Sequence, residues 1–251
     1  MIEFNLLFFA VAIPAVIFAG ISKGGFGSGA SFVASAILAL IMPPELALGM
    51  MLPLLMLIDV GSLPTYWKKW NWSDCRRLLI GSVAGVAIGI VVFGFANSNV
   101  IRFLIGVIAL AFVAWQLAKA RGLVPQPKSQ LGTRAGIFAG SVAGFTSFVS
   151  HAGGPPLAVY LLSQKLNKTT YQASTVLVFW AINVMKFVPY SFLGAFTTDT
   201  WWAVLMLAPV ALFGTWLGVK AHRLVPERLF FAITYVLLTA TGLRLIWTAL
   251  S

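Results

Sequence analysis

The sequence predicts an all-α, polytopic membrane protein made of two inverted repeats of about five helical segments each. Of its 251 residues, 60% are hydrophobic and only 9% are charged, whereas a soluble domain carries roughly 25% charged residues. The apolar stretches between charge clusters are mostly long enough to cross about 30 Å of hydrocarbon as helices. The strands of a membrane barrel would alternate in polarity, and these stretches do not.

Hydropathy divides the chain into two membrane repeats and a linker. The first repeat covers residues 1–118 and the second covers 135–251, while a hydrophilic stretch with Pro, Gly and basic residues forms a cytoplasmic linker at 119–134. The apolar segments of the first repeat are Phe4–Ser22, Ser28–Met42, Leu46–Tyr66, Leu78–Ala96 and Val100–Ala118. Those of the second repeat are Ala135–Ser150, Pro155–Leu166, Tyr171–Gly194, Trp201–Val219 and Leu229–Leu250.

The two repeats resemble each other at one constant offset. Gly29 aligns with Gly153, and Asp59 aligns with Asn183. Each repeat also has the same order of a long segment, a glycine-rich break and an unusually short segment. Because chance identity is high in apolar sequence, this shared order is stronger support for a duplication than the matched residues.

Loop charge predicts the orientation of the repeats. The loop after the third segment, WKKWNWSDCRR, carries Lys and Arg residues, whereas its counterpart in the second repeat, AFTTDTWW, carries none. The loops after the fourth segments show the opposite bias. Since Lys and Arg concentrate in cytoplasmic loops, the repeats should be inserted upside down relative to each other. Threading ten segments then places the linker in the cytoplasm and both termini outside.

Each repeat contains a glycine-rich break, KGGFGSG at Lys23–Gly29 and SHAGGPP at Ser150–Pro156. Inverted repeats with interrupted helices are typical of secondary transporters, whose site lies where the broken helices meet. A helix that restarts after a break offers free N–H groups and the positive end of its dipole, which favours an anion. The alternative role of such glycines is close helix packing, which fits Gly81, Gly85 and Gly89 better.

The candidate substrate-binding residues come from the breaks and from polar positions within a long segment. Lys23 attracts an anion if the first segment ends partway through the membrane, and it is interfacial if that segment crosses fully; the sequence leaves this choice open. His151 is either a proton carrier or a packed, hydrogen-bonded residue. The candidates are Lys23, Gly24, Gly25, Ser28, Gly29, His151, Gly153, Gly154, Pro155, Asn183 and Lys186.

Asp59 and Lys186 are the charges that lie deepest within long segments. A charge in lipid costs at least ~2.5 kcal/mol on insertion scales, so it usually faces the interior of a helix bundle or an aqueous path. Two interpretations stay open. The two residues form a structural ion pair, or Lys186 contacts the substrate while Asp59 serves as its counter-ion or as a proton-coupling group.

Several function classes find little support in the sequence. The single cysteine, Cys75, excludes an intramolecular disulfide and a multi-cysteine metal site, and two histidines are too few for a histidine cluster, so we expect no metal and no cofactor. The net charge of +11 reflects membrane topology rather than nucleic-acid binding. Ser147, Ser150 and His151 are neighbours on the chain, which seldom gives a nucleophile and its base convergent geometry. We therefore do not expect an enzyme.

The two breaks carry a family resemblance. AGISKGGFGSGASFVASAIL in the first repeat and GFTSFVSHAGGPPLAVYLLSQKLNKTT in the second resemble the TauE/SafE sulfite-exporter family, also called the 4-toluene sulfonate uptake permease family. Members often have a longer glycine run in the first repeat, which Phe26 and Ser28 interrupt here. The resemblance covers almost the whole chain. It implies a multi-pass permease of the bacterial inner membrane for sulfur-containing anions such as sulfite or organosulfonates.

The residues and the resemblance together predict a secondary transporter that moves a small sulfur-containing anion by alternating access. No ATP-binding P-loop is present, so the energy should come from a gradient, with protons as the candidate coupling ion. The expected partners are the small anionic substrate and membrane lipid, with a homo-oligomer as a further option. The rival classes are a membrane-embedded enzyme acting on a lipid or peptide, and a passive channel-like subunit of a larger complex.

Overall fold

The computed structural model describes residues 2–26, 30–124, 129–224 and 227–251. Within those ranges all regular structure is helical, so the all-α prediction is confirmed. The elements are α1 (Leu6–Ile21), a π-helical turn (Ser22–Phe26), α2 (Phe32–Leu38), α3 (Pro44–Tyr66), α4 (Trp72–Phe95), α5 (Ser98–Ala120), α6 (Thr133–Ser150), α7 (Gly154–Ser163), α8 (Lys168–Phe192), α9 (Thr198–Leu224) and α10 (Glu227–Leu250).

Among the described residues, seven helices are long and apolar enough to cross a membrane, as a multi-pass membrane protein requires. They are α1 with its π-helical turn, α3, α4, α5, α8, α9 and α10. Helices α2 and α7 have 7 and 10 residues, so they rise only about 10 and 15 Å. The prediction of short helices after each glycine break is therefore confirmed. Ten full crossings were too many, because α2, α6 and α7 are not among the seven described helices that could cross.

Helices α6 and α7 form a hairpin whose two ends lie together. The backbone N–H of Leu131, just before α6, donates to Ser163 Oγ at the end of α7 over 3.3 Å. Gln164 Nε2 donates back to the carbonyl of Leu131 over 2.9 Å. In the first repeat, Asn5 and Met42 line one cavity, so the start of α1 and the chain after α2 also lie together. Each repeat thus begins with a helical hairpin that has a glycine-rich tip.

Helix α4 packs along α6 with almost no space between the backbones. A Cβ atom at Gly81 or Gly85 would overlap with the carbonyl oxygens of Ile137 or Ser141, and one at Gly89 would lie 2.7 Å from the Phe148 side chain. The packing role predicted for these three glycines is confirmed. The hairpin of the second repeat is therefore joined closely to a long helix of the first repeat.

Helix α9 packs along α1 in the corresponding way. A Cβ at Gly20 would lie 2.7 Å from the backbone of Gly214, and one at Gly214 would lie 2.8 Å from the carbonyl oxygen of Ile17. The hairpin of the first repeat is therefore joined to a long helix of the second. Each hairpin thus packs against a long helix of the other repeat: α6 contacts α4, and α1 contacts α9.

Helices α3 and α8 run antiparallel through the centre of the molecule. Gly49 near the start of α3 lies against the backbone of Ala195 after α8, while Asp59 near the end of α3 contacts Asn183 in the middle of α8. Asp59 and Asn183 are 124 residues apart, and they are the pair that the sequence offset aligns. Corresponding helices that meet antiparallel are expected of inverted repeats. The inversion itself stays a prediction.

Asparagine side chains set the start of several long helices. The side chains of Asn5, Asn71, Asn97 and Asn167 accept hydrogen bonds from the third backbone N–H of α1, α4, α5 and α8. The predicted start of α4 at Leu78 is wrong, because α4 begins at Trp72, directly after its Asn71 cap. The apolar segment was predicted to begin only after Arg76 and Arg77, because hydropathy falls at charged residues. The helix itself extends beyond the apolar segment, through the interface into water.

We expect the α3–α4 and α8–α9 connections to lie on opposite sides of the membrane. In a Cys75→Ser background, Lys69→Cys should react with a membrane-impermeant maleimide only in inside-out vesicles, and Thr198→Cys only in intact cells. Both positions are exposed, so both are open to the reagent. Reaction of the two positions from the same side would show that the repeats are not inverted.

Candidate functional site

The tips of the two hairpins reach the central pair of helices, α3 and α8. The π-helical turn after α1 carries Lys23 to Asp59 of α3. The tip between α6 and α7 brings His151 to the carbonyl of Leu48 in α3 and to Lys186 of α8. A π-helical turn is wider than an α-helical turn and is frequent at functional sites. The two predicted breaks therefore meet on the same two helices.

The first polar cluster joins Lys23, Asp59 and Asn183. Lys23 Nζ donates to Asp59 Oδ1, and Asn183 Nδ2 donates to Asp59 Oδ2 over 2.8 Å. The side chain of Lys23 is 10% exposed and that of Asp59 is 3% exposed. Both oxygens of the carboxylate thus have donors, as a buried carboxylate requires. The first hairpin, α3 and α8 meet at this one group.

The second polar cluster surrounds Lys186, which is fully buried. Its Nζ atom lies 3.0 Å from the carbonyl oxygen of Ser147, 3.0 Å from Ser147 Oγ and 2.8 Å from His151 Nδ1. An ammonium has three N–H donors, and each of them has an acceptor here. All three acceptors are neutral groups on α6 and its tip.

The hydrogen bonds of His151 define its tautomer. Nε2 lies 3.1 Å from the carbonyl oxygen of Leu48, which can only accept, so Nε2 carries the hydrogen. Nδ1 is then free to accept from the ammonium of Lys186. His151 caps the end of α6 in the left-handed conformation, with φ of 58°. A non-glycine residue is uncommon there, and its two hydrogen bonds hold it in place.

The two clusters together contain two lysines and one carboxylate. Asp59 pairs with Lys23, and among the described ion pairs none joins Asp59 to Lys186. The interpretation of Asp59 and Lys186 as an ion pair is therefore wrong, because Asp59 pairs with the lysine at the tip of the first hairpin. Lys186 is left with neutral acceptors only, so its charged form has no carboxylate beside it.

Some glycines of the breaks serve helix packing, and one lies beside the Lys186 cluster. A Cβ at Gly24 would lie 2.5 Å from the carbonyl oxygen of Thr215, and Gly25 also lies against the α9 backbone, so the packing alternative fits both. Gly153 lies against Ser147 and Phe179, beside the Lys186 cluster.

The four remaining candidates from the breaks are Gly154 and Pro155 at the start of α7, together with Ser28 and Gly29. Pro155 lines an apolar groove with Trp115 and Phe138, away from the described contacts of Lys186, while Gly154 is buried at the start of α7. Ser28 and Gly29 lie outside the described residues. The substrate role of these break residues stays a prediction.

Lys23 also borders a small cavity of about 10 Å³, lined on the same side by Ser62, Gln172, Thr175 and Phe179. Sequence reasoning missed these four residues, and it considered Ser147 only as a nucleophile. The offset between the repeats contained a signal, because it aligns Lys23 with Ser147 and Ser62 with Lys186. Each repeat thus has one lysine where its hairpin tip meets its long central helix. Lys23 lies on the hairpin tip of the first repeat, whereas Lys186 lies on the long helix of the second.

Comparison with known proteins identifies one family. Residues 12–245 match the family described as Sulfite exporter TauE/SafE, which is a family of membrane transporters. The match includes both hairpins and the central helices α3 and α8. No curated protein and no solved structure was found to match the chain.

The Lys23–Asp59 pair gives a prediction for stability. Asp59→Asn alone should lower the unfolding free energy by about 3–5 kcal/mol, because it leaves the Lys23 ammonium buried without a counter-charge. The Lys23→Met/Asp59→Asn double mutant should recover most of that loss in thermal unfolding of the purified protein. The matched control is Lys186→Met/Asp59→Asn, which should show no recovery. Recovery in the control but not in the Lys23 double mutant would contradict the pairing.

The packing of Gly24 gives a second prediction for stability. Gly24→Ala should lower the unfolding free energy by about 1–3 kcal/mol, because its Cβ overlaps with the α9 backbone and forces the hairpin away. Gly61→Ala is the control, since Gly61 has open space around it and also lies in a helical region. We expect that control to be neutral or slightly stabilising. Equal melting temperatures for the two variants would remove the packing role of Gly24.

Proposed function

We propose, from the premise that this chain belongs to the sulfite exporter TauE/SafE family, that it is a secondary transporter moving a small sulfur-containing anion across the inner membrane by alternating access. The observation that carries the proposal is the set of residues at the hairpin tips, where two lysines, Lys23 and the fully buried Lys186, lie near one carboxylate. An anion bound there supplies the counter-charge that Lys186 lacks, and so favours its charged form.

Lys186 supplies the deep positive charge of the proposed site. In the structure its three donors are taken by Ser147 and His151, so an anion binds it by replacing one of these neutral acceptors. The exchange is favourable because an anion adds a Coulomb attraction to the ammonium that a neutral acceptor does not supply. Ser147 also has a hydroxyl hydrogen that can donate to an oxyanion. His151 then positions Lys186 through Nδ1.

Asp59 is the coupling group in this proposal. Its carboxylate holds Lys23, and protonation of Asp59 would weaken that contact and free an ammonium for an anion. A proton and an anion would then enter the site together, since each favours the other. This extends the counter-ion role predicted for Asp59, with Lys23 as the direct partner and Lys186 as the more distant one.

The seams of close-packed glycines indicate which parts move together. The first hairpin is joined to α9 and the second hairpin to α4, with backbones too close for independent sliding. Alternating access would therefore move each hairpin with its partner helix, about the central pair of α3 and α8. The polar clusters lie at that central pair, where such a movement changes their contacts.

Flux measurements test the proposal directly. Proteoliposomes should take up radiolabelled sulfite or an organosulfonate with saturation and counter-flow, which neither a passive channel-like subunit nor an enzyme would show. Lys186→Met should raise the half-saturating concentration roughly 10-fold or more, because a hydrogen bond to a charged group is worth about 1.5–3 kcal/mol.

Lys119→Met is the matched control, because Lys119 is exposed at the end of α5. We expect its half-saturating concentration to stay at the wild-type value. Flux that rises linearly with concentration would favour the channel-like alternative. Unchanged saturation in folded Lys186→Met would remove Lys186 from the site.

A further inference from the structure

One face of α8 leads from the start of the helix to the buried lysine. Gln172, Thr175, Val176 and Phe179 share this face, because they follow helical spacing and line the same cavity. Asn183 and Lys186 continue toward the polar clusters, where they contact Asp59 and Ser147. The face is polar at both ends, and Phe179 lies between them.

The cavity at the outer part of this face has donors for an oxyanion. Its polar lining is Lys23, Asp59, Ser62, Gln172 and Thr175, and the Asp59 carboxylate is held by Lys23 and Asn183. The hydroxyls of Ser62 and Thr175 donate to backbone carbonyls, so the donors for an oxyanion are those of Lys23 and Gln172. Lys23 uses one of its three N–H donors for Asp59 among its described hydrogen bonds. The cavity of about 10 Å³ holds about one water molecule. An oxyanion fits after Lys23 or Gln172 swings aside, which long side chains can do.

Phe179 separates this cavity from the Lys186 cluster. Its side chain is 7% exposed. The Lys23 ammonium lies 5.6 Å from the centre of its ring. A Cβ at Gly153 would lie 3.3 Å from the ring edge, so Phe179 contacts the tips of both hairpins. An anion that moves along α8 from the cavity to Lys186 has to pass this ring.

We propose that the cavity bordered by Lys23, Asp59, Ser62, Gln172 and Thr175 is an entrance subsite for a small oxyanion, such as sulfite or a sulfonate, and that Phe179 is the gate between it and Lys186. The inference deepens the proposed function and rests on it. It assigns Lys23 and Gln172 to the first contacts with the anion, once protonation of Asp59 frees the Lys23 ammonium. It assigns Phe179 to the step that admits the anion to the buried charge.

Charged thiol reagents test the entrance subsite without transport. In a Cys75→Ser background, Gln172→Cys is treated with sulfonatoethyl methanethiosulfonate, itself a sulfonate, and with its cationic trimethylammonium analogue. Thr169→Cys, exposed at the start of α8, is the control. The ratio of anionic to cationic rates should be higher at position 172 than at position 169, where the neighbouring Lys168 gives only the attraction of an exposed surface charge. Equal ratios at the two positions would overturn the subsite.

Lys23 should be the source of that preference. Lys23→Gln should lower the ratio at position 172 to that at 169, and Lys23→Arg should keep it. If Lys23→Gln does not fold, the test is protection by sulfite in the protein that retains Lys23. Sulfite should slow the modification of Gln172→Cys and leave the modification rate of Thr169→Cys unchanged. Absence of protection would overturn the proposal.

The gate has its own labelling test. Ser147→Cys should be unreactive in inside-out vesicles, because Ser147 is 2% exposed. It should become reactive toward the sulfonate reagent when Phe179→Ala is added, or Phe179→Leu if the alanine variant does not fold. Phe187→Ala, on the same helix, is the matched control and should leave position 147 protected. Equal reactivity in the two alanine variants would remove Phe179 as the gate.

The labelling results and the flux results separate the two levels of inference. Anionic preference at position 172 without saturable flux would leave an anion subsite in a protein that is not a transporter. Saturable flux without preference at position 172 would overturn the entrance subsite alone.

Discussion

The structure depends on burying Lys186 without a carboxylate beside it. A charged group in the membrane interior needs partners for all its donors. Here they come from one carbonyl, one hydroxyl and one imidazole nitrogen, supplied by Ser147 and His151. Those three acceptors converge only because α6 ends at Ser150 and His151 turns back in the left-handed conformation. The break in the second repeat is thus also the binding shell of the lysine.

The first repeat also holds a lysine at its hairpin tip, but the lysine and its partner lie on the opposite elements. Its lysine, Lys23, lies on the hairpin tip, and the partner lies on the long helix α3. Because Asn183 donates to the same carboxylate, the central helices of the two repeats are connected through Asp59. A movement at this contact therefore changes the environment of both lysines. This connection is what makes the hairpin tips suitable for coupling an anion to a second event.

The close packing of the hairpins follows from the glycines. Carbonyl oxygens of α6 lie where Cβ atoms would be at Gly81 and Gly85, and α1 and α9 meet over Gly20 and Gly214. Small residues allow such approach in membranes, where helices gain little from the hydrophobic effect. The seams hold each hairpin firmly while its tip stays polar. Rigid support beside a polar tip positions the lysines.

Much of the fold could be predicted from hydropathy, because long apolar segments in lipid have few structural choices. Helices α3, α5, α8 and α10 begin and end within a few residues of their predicted bounds. The hairpins could not be predicted, since a segment of Phe4–Ser22 is long enough to cross or to stop at a tip. The offset between repeats did indicate that Asp59 and Asn183 correspond, and the structure places them in contact.

The site was predictable in part. Lys23, His151 and Lys186 were recognised because polar residues beside glycine breaks or deep in apolar segments need a reason to be there. Their partners were not, because the pairing of Asp59 with Lys23 depends on the π-helical turn, which the sequence pattern does not reveal. Phe179 gave no signal at all, since an aromatic residue in an apolar helix is ordinary.

The central claim is that the charges at the hairpin tips form the anion site, and an anomalous difference map tests it most directly. Crystals of the protein grown with selenite, the heavier analogue of sulfite, would show selenium by its own scattering. The account predicts a peak between the hairpin tips, within hydrogen-bond distance of Lys186 Nζ or Lys23 Nζ. Peaks found only at exposed lysines and arginines, with none between the tips, would contradict it.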